Sequence, residues 1–267
     1  DVKSMGYGSS EKIHLMAEAE RYAYADRSEY MGDPDFVKVP VKELTSKAYA
    51  KKIYEAIRAA GKVAVPSQQV KPGQLLPESL HTTHYSVADF KGNAVSVTYT
   101  VNYTFGSGAA VDGAGFLLND EMDDFSIKPG VPNAYGLVGG DANAIEPKKR
   151  PLSSMSPTII LKDNKLYMVV GSPGGARIIT TVAQVISNVI DHNMDIAEAV
   201  AAPRFHMQWL PDELRVEKDT LVKDVENSLK TMGYDVKVKN PMGDVNAIIL
   251  DSKNHVMYGS KDPRTEF

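Results

Sequence analysis

The stretch Thr82-Thr83-His84-Tyr85-Ser86 decides how this chain is interpreted, because it opens an alternating pattern typical of a β-strand. A second alternating run at 94–101 follows the turn Lys91-Gly92-Asn93, which predicts a hairpin. Thr82 stands at the start of the first strand, after a Pro- and Gly-containing stretch, 63–81, that is expected to be extended and exposed. A threonine hydroxyl becomes a useful nucleophile beside a base, and its own α-amino group can be that base. This chemistry requires cleavage just before Thr82; otherwise the residue is an ordinary β-former.

Composition and charge narrow the function classes. The 267 residues are 43% hydrophobic and 24% charged, ordinary values for a globular protein. The net charge of −4 gives no basic field for nucleic acid. No apolar run reaches the roughly 20 residues of a membrane span. Cysteine is absent and the six histidines lack metal-motif spacing, so we expect no disulfide, metal or cofactor. The chain starts at Asp1 without a visible signal peptide, so we expect a piece of a longer protein.

Hydrophobic periodicity predicts an α+β chain. Apolar residues recur at helical spacing in four segments, 10–25, 45–60, 178–190 and 219–232. A capping-box pattern, Asp195 with Glu198, predicts the start of a further short helix. Strands are predicted in hairpins, 157–161 with 166–170 and 245–250 with 255–258, and singly at 235–238. Hairpin strands with helices grouped between them favour antiparallel sheets over a doubly wound parallel sheet.

A glycine-rich turn precedes the strong helix 178–190, in the sequence Gly171-Ser172-Pro173-Gly174-Gly175-Ala176-Arg177. Such a turn exposes backbone amides at the positive end of the helix dipole, where an oxyanion or a phosphate can be held. It is not a Walker loop, because the lysine and the Ser/Thr are missing. The alternative is a tight strand-to-helix turn without a ligand.

Two polar clusters border the long stretch 123–150, whose length and Gly, Pro and Asn content suggest a functional loop. Asp123-Asp124 could capture an ammonium group, although acidic pairs more often face solvent or cap a turn. Ser153-Ser154-Met155-Ser156-Pro157 offers hydroxyl donors suited to a carboxylate, or forms a polar turn before a strand.

Several long and uncommon motifs recur along most of the chain in a recognisable order. They are Ala25-Asp26-Arg27-Ser28, Gly32-Asp33-Pro34-Asp35-Phe36, Leu44-Thr45-Ser46-Lys47, Thr82–Ser86, Asn119–Phe125, Lys128-Pro129-Gly130-Val131-Pro132-Asn133, Lys149–Pro157, Gly171–Arg177, Pro203-Arg204-Phe205-His206 and Asp262-Pro263-Arg264. In this order they resemble the γ-glutamyltransferases (γ-glutamyltranspeptidases) of the N-terminal-nucleophile hydrolase superfamily. The resemblance implies that the chain is part of a four-layer αββα sandwich with antiparallel sheets.

The resemblance also implies a precursor that cleaves itself between His81 and Thr82. Thr82 would be the nucleophile and its freed α-amino group the base, since such groups titrate at about 7.7–8.0. Thr100 matches a second hydroxyl that assists Thr82. Gly174 and Gly175 match the oxyanion hole, in agreement with the reading of that turn from its glycines.

The implied substrates are glutathione and other γ-glutamyl compounds, which would pass through a γ-glutamyl ester on the threonine. Water, an amino acid or a peptide acceptor would then release the ester. Residues matching the substrate-binding positions are Asp124 for the α-ammonium group with Asn102 and Glu121 beside it, Ser153 and Ser154 for the α-carboxylate, and Tyr135 as the gate of a lid.

The resemblance divides the chain at the cleavage point. Residues 1–81 would be the C-terminal part of the large-subunit region, ending in the processing linker, and residues 82–267 the small-subunit catalytic region. A large N-terminal portion of the family precursor has no counterpart here, including an arginine that grips the α-carboxylate. Serine hydroxyls make weaker contacts than a bidentate arginine, so that portion is an expected partner and the chain alone is expected to be incompletely active. A periplasmic or secreted location is implied for bacterial members.

Three other functions stay open at this point. A cephalosporin- or glutaryl-type acylase of the same superfamily would share the nucleophile but would not need an ammonium site such as Asp124. A non-catalytic, unprocessed binding or assembly module would bind glutamate without cleavage at Thr82. A phosphate-binding role for Gly171–Arg177 is a more distant alternative.

Overall fold

The computed structural model describes residues 1–70, 82–128, 131 and 139–264. Two compact units share these residues. The first unit contains the described residues of Asp1–Glu78, Glu121–Ser153 and Phe205–Lys239, and the second those of Ser79–Asp120, Ser154–Arg204 and Asn240–Phe267. Each unit is assembled from three stretches of chain. The predicted division after residue 81 concerns processing, and it stays a prediction.

Helices and strands occur in groups along the chain, an α+β order, as predicted. The helices are α1 (Val2–Met5), α2 (Ser10–Tyr30), α3 (Val41–Leu44), α4 (Lys47–Ala60), α5 (Arg177–Ile190), α6 (Ile196–Ala201) and α7 (Lys223–Thr231). The strands are β1 (Thr83–Ala88), β2 (Ala94–Tyr99), β3 (Thr158–Lys162), β4 (Lys165–Gly171), β5 (Phe205–His206), β6 (Leu214–Glu217), β7 (Val236–Lys239), β8 (Asn246–Asp251) and β9 (Val256–Lys261). Short 3₁₀ turns lie at Ser67–Gln69, Glu121–Asp124 and Asp141–Asn143.

The first unit is built on α2. This helix begins after Ser9, whose hydroxyl accepts the Lys12 backbone N–H at 3.1 Å and so caps the helix. Apolar side chains of α2 pack with those of α7 and of the sheet β5-β6-β7 in one core, including Ile13, Leu214 and Leu229. Burying side chains of this size contributes about 1.5–3 kcal/mol each.

One pair of strands in this unit departs from the predicted antiparallel pattern. β6 and β7 are parallel, with Leu214 opposite Val236. The chain passes through α7 between them, and a crossover of this kind lets two consecutive strands run in the same direction. The short strands β5 and β6 were not among the predicted strands.

The second unit contains two stacked sheets and one helical layer. The hairpin β1–β2 packs on the antiparallel sheet β3-β4-β8-β9, and α5 and α6 pack against strands of that same sheet. Met168 and Val170 of β4 lie in the core shared with α5 and α6. Gly171, one residue further, meets His84 of the hairpin, as expected from the alternation of faces along a strand. The layers of this unit are therefore the hairpin, the four-stranded sheet and the helices, in that order. The predicted α+β class with antiparallel sheets is confirmed.

Candidate active site

The register of the β1–β2 hairpin brings Thr82 and Thr100 together. Thr83 lies opposite Tyr99 and His84 opposite Thr98, so one more step of the ladder pairs Thr82 with Thr100. The Thr82 hydroxyl donates to Thr100 Oγ1 at 3.3 Å. Thr100 Oγ1 also accepts the backbone N–H of Asn102 at 2.8 Å, which fixes the hydroxyl at the strand end. The two threonines singled out in the sequence are therefore neighbours in space.

Asn102 turns the chain away at the end of β2. Its φ is 73°, a left-handed conformation that asparagine tolerates better than most residues. Its buried side-chain amide donates to the backbone oxygen of Asp120 at 3.4 Å, and the Asp120 carboxylate accepts Tyr103 N–H at 3.1 Å. These bonds hold Asn102 two residues from Thr100, beside the pair of hydroxyls.

His84 is buried beneath the hairpin, and its hydrogen bonds determine its tautomer. Ser86 Oγ donates its one proton to the backbone oxygen of Asn246 at 3.1 Å. Ser86 Oγ must therefore accept in its second hydrogen bond, to His84 Nε2 at 3.1 Å. Nε2 therefore carries the proton, and Nδ1 accepts the hydroxyl of Thr98 at 2.8 Å. Burial lowers the pKa of His84 to about 4, so the ring is neutral at pH 7. Its contacts agree with the structural role that a lone strand histidine suggests.

The glycine-rich turn leads from β4 into α5, as the sequence predicts. Gly174 and Gly175 have φ values of 138° and 59°, and the value at Gly174 in particular is rarely adopted by residues with a side chain. Ser172 is buried beneath the turn, where its hydroxyl donates to Pro173 O at 2.6 Å and accepts Asp244 N–H at 3.0 Å. The turn is thereby fastened to the loop before β8, at the N-terminal end of a 14-residue helix.

Asp124 lies in the first unit, in the 3₁₀ turn Glu121–Asp124. Burial raises its pKa to about 8, and a hydrogen bond and charge repulsion from Glu121 act in the same direction. The half-buried Arg27 guanidinium acts against this rise. An acidic pair that holds a proton near neutrality is suited to a cationic ligand, because a bound ammonium group stabilises the ionised carboxylates.

The serine pair is held in place by the residues just before it. The Arg150 guanidinium binds Asp33 through two nitrogens, at 2.9 Å and 2.6 Å, and Arg150 backbone N–H adds a third bond at 2.9 Å. These bonds hold the pKa of Asp33 well below its usual range. Ser153 is exposed and Ser154 half-buried, with Ser154 O accepting the Ser156 hydroxyl at 3.0 Å.

The predicted site residues fall into two groups, one in each unit. The second unit contains Thr82, Thr100, Asn102, Ser154, Gly174 and Gly175, and the first contains Glu121, Asp124 and Ser153. Tyr135 and His81 lie outside the described residues. Within each group the structure brings together Thr82 with Thr100 and Glu121 with Asp124.

Sequence reasoning missed Arg27 and Asp33 as parts of the site. Both occur in motifs of the family resemblance. Nothing in their local pattern indicates that the Arg27 charge acts on the Asp124 carboxylate or that Asp33 binds Arg150. In the part of the chain that the structure describes, no group of three or more acidic or histidine side chains is arranged to hold a metal ion. None of the helices described combines the length and apolarity of a transmembrane segment.

The stacked antiparallel sheets, with a hydroxyl-paired threonine at the start of a strand and a glycine turn at a helix N-terminus, define an N-terminal-nucleophile hydrolase architecture. The family model described as gamma-glutamyltranspeptidase matches residues 1–266. The chain belongs to the γ-glutamyltranspeptidase family, which confirms the resemblance seen in the sequence.

Individual relatives agree with this assignment. The chain is 58% identical over 266 residues to the glutathione hydrolase proenzyme of Escherichia coli K12, covering 99% of this chain and 45% of that relative. A crystal structure of a mutant Helicobacter pylori γ-glutamyltranspeptidase is 71% identical over 68% of this chain and all of that one, with a TM-score of 0.67. A cephalosporin acylase from Bacillus halodurans is 26% identical over 98% of this chain and 45% of its own, with a TM-score of 0.81. The chain thus spans less than half the length of the E. coli relative.

Proposed function

We propose that this chain carries the nucleophile half of a γ-glutamyltransferase that hydrolyses glutathione and other γ-glutamyl compounds or transfers their γ-glutamyl group. The observation that carries the proposal is the pair of hydroxyls at the start of β1, with Thr82 Oγ1 3.3 Å from Thr100 Oγ1. The 58% identity to a glutathione hydrolase proenzyme supports the substrate class. The portion of the relatives that this chain does not match is proposed as the partner that completes the enzyme.

Maturation would come first. Cleavage of the His81–Thr82 peptide bond would free the Thr82 α-amino group, whose pKa in model compounds is about 7.7–8.0 and therefore suits a general base near neutrality. Thr100 would orient the Thr82 hydroxyl through the bond described above. The α-amino group can act as the base only when Thr82 is the first residue of a chain.

Acyl transfer would follow in two steps. Thr82 Oγ1 attacks the γ-carbonyl carbon while the α-amino group takes its proton, and the amides of Gly174 and Gly175 stabilise the oxyanion. The intermediate collapses to a γ-glutamyl ester, and the leaving amine departs with the proton. Water or the amine of an acceptor amino acid or peptide then attacks the ester and regenerates Thr82.

The head group of the substrate would be held at both ends. Asp124, with Glu121 and Asn102, is proposed to bind the α-ammonium group, and Ser153 and Ser154 the α-carboxylate. Tyr135 is proposed as the gate residue over the bound substrate. The raised pKa of Asp124 supports a site that is completed electrostatically by a cation.

The test starts with intact mass and N-terminal sequencing after incubation at neutral pH, followed by assay with γ-glutamyl-p-nitroanilide, with and without the N-terminal portion found in relatives. We expect a fragment starting at Thr82 and turnover that Thr82→Ala abolishes. Thr83→Ala is the matched control, since Thr83 is the exposed neighbour in the same motif. Turnover that survives Thr82→Ala would refute the proposal.

An acylase of the same architecture is the second candidate, favoured by the fold shared with the B. halodurans enzyme. Glutaryl-p-nitroanilide, which lacks the α-amino group, distinguishes the two functions. A γ-glutamyl enzyme should lose activity on γ-glutamyl-p-nitroanilide when Asp124 becomes Asn, whereas an acylase should prefer the glutaryl substrate and should not respond to that change.

Location outside the cytoplasm, periplasmic or secreted, is also proposed, and it rests on the resemblance alone. Cell fractionation with an antibody against the chain would test it. Recovery in the cytoplasmic fraction only would contradict it.

A further inference from the structure

A short segment of the first unit, Gly139–Asn143, is fixed tightly by residues from distant parts of the sequence. Gly140 N–H donates to Ser28 O, at the end of α2, at 2.9 Å. A Cβ on Gly139 would lie 1.8 Å from Ser126 Oγ, and one on Gly32 would lie 2.2 Å from Ala142 O. Real Cβ atoms essentially never approach a neighbour this closely, so a side chain at position 32 would have to displace backbone, and one at position 139 would have to displace the buried Ser126 hydroxyl.

Asn143, at the end of this segment, is buried and bonded on three sides. Its Nδ2 donates to Asp124 O at 2.7 Å, and its Oδ1 accepts Leu152 N–H at 2.9 Å. Its backbone oxygen accepts Ser126 N–H at 2.9 Å. Because a backbone oxygen can only accept and a backbone N–H can only donate, the orientation of the amide is determined by its partners.

Asparagine is the side chain that fits these two partners. Aspartate has no donor for Asp124 O, and glutamine is longer by one methylene in a site where Asn143 is only 3% exposed. A buried donor or acceptor that loses its partner is costly, so replacing Asn143 leaves Asp124 O, Leu152 N–H or both without their bond to this side chain.

The bonds of Asn143 join two segments that the proposed function assigns to opposite ends of one substrate group. Asp124 is the proposed ligand of the α-ammonium group, and Leu152 directly precedes Ser153, a proposed ligand of the α-carboxylate. Arg150, two residues before Leu152, is held by its ion pair with Asp33. The Asn143 side-chain amide therefore bridges the backbones of the two binding segments and fixes the distance between them.

We propose that Asn143 is a positioning residue that sets the spacing between the ammonium-binding and carboxylate-binding segments. It thereby selects donor substrates whose ammonium and carboxylate groups share one carbon, as in γ-glutamyl compounds. This inference rests on the proposed function. Asn143 acts through Asp124 and Ser153, without touching the reacting atoms.

The test compares Asn143→Asp and Asn143→Ala with the parent protein, in the form that turns over γ-glutamyl-p-nitroanilide. We expect KM to rise about tenfold or more, because Asn143→Asp removes one buried hydrogen bond and Asn143→Ala removes two, and the partners are left unsatisfied. The value of kcat and the rate of self-cleavage before Thr82 should change less than about threefold, since neither depends on capture of the head group. KM is independent of the active enzyme concentration, so partial misfolding cannot imitate this pattern.

The matched control is Asn188→Asp in the second unit, where a buried amide donates to Ala199 O at 3.4 Å. This change removes a buried amide of the same kind, and we expect no change in KM. An unchanged KM in both Asn143 variants, or a rise in KM equal to that of Asn188→Asp, would overturn the inference. A parent protein without γ-glutamyl turnover would instead refute the proposed function, which separates the two failures.

Discussion

A methyl group added to Gly171 should disturb the β1–β2 hairpin, which Thr82 precedes, through His84. The Cβ of an alanine at this position would lie 2.2 Å from His84 Cε1, 2.4 Å from Nδ1 and 2.7 Å from Nε2. The ring cannot move aside freely, because Thr98 and Ser86 hold its two nitrogens. His84 is two residues from Thr82 on β1, so displacing the ring shifts the start of that strand.

The size of the effect follows from these contacts. Overpacking a well-filled site by one carbon costs about 1–3 kcal/mol. If the ring is displaced instead, two hydrogen bonds of about 1 kcal/mol each are lost. The free energy of unfolding should therefore fall by about 1–3 kcal/mol in Gly171→Ala, and self-cleavage before Thr82 should slow.

Urea unfolding of the uncleaved chain, carried in a Thr82→Ala background, measures the loss. Gly259→Ala is the matched control, because Gly259 lies in the same sheet and an added Cβ there meets nothing within 4 Å. Replacing both Gly171 and His84 by alanine should restore part of the loss, giving a coupling energy of about 1 kcal/mol or more. The reasoning is refuted if Gly171→Ala is as harmless as Gly259→Ala, or if the two changes are additive.

Three further predictions follow from the hydroxyl pair, the acidic pair and the buried histidine. Thr100→Val should lower kcat about 100-fold by removing the acceptor of the Thr82 hydroxyl; Thr100→Ser should recover most of it, and equal kcat values in the two variants would contradict the assignment. The KM for γ-glutamyl-p-nitroanilide should rise by up to about tenfold per pH unit as pH falls below 8, because ammonium binding requires an ionised Asp124 whose pKa is raised to about 8. This pH dependence of KM should disappear in Asp124→Asn. If it persists in that variant, it belongs to another group. The folded-state pKa of His84, about 4, lies below the unfolded value of about 6.5, so the unfolded state binds the extra proton first. Stability should therefore decline as pH falls from 6.5 to 4, by less than about 3 kcal/mol in total because solvent screens part of the effect. His84→Gln should flatten this part of the urea-unfolding pH profile, and an unchanged profile would show that the ring is not held neutral.

Local patterns predicted the elements that depend on local interactions. The capping box at Asp195 and Glu198 is present, with reciprocal bonds of 2.8 Å and 3.1 Å, because both partners lie within one turn of helix. The β1–β2 hairpin follows from alternation and a short turn, and its register pairs Thr82 with Thr100 without any distant contact. Helix α5 begins one residue before its predicted start.

Features that depend on distant segments were not predictable in this way. The two-residue strand β5 is too short to show a period, and β6 pairs with β7 only after α7 has returned the chain. Asp33 and Arg150 are 117 residues apart, and Asn143 binds partners 19 residues before it and 9 residues after it. Each is an ordinary polar residue in its local sequence, and its role appears only when tertiary packing brings its partners near.

On the proposed assignment, the two parts of the site follow different rules of construction. The nucleophile is set by the register of a single hairpin, while the segments that bind the head group are positioned by bonds between separate stretches of the first unit. We expect a change in one of those stretches to alter substrate choice and to leave the bonds within the Thr82–Thr100 pair intact. The B. halodurans cephalosporin acylase keeps this fold at 26% identity, as expected if the scaffold of the nucleophile tolerates different substrate groups. We therefore expect the determinants of γ-glutamyl specificity in residues 121–128 and 139–153, where Asn143 joins the two proposed ends of the site.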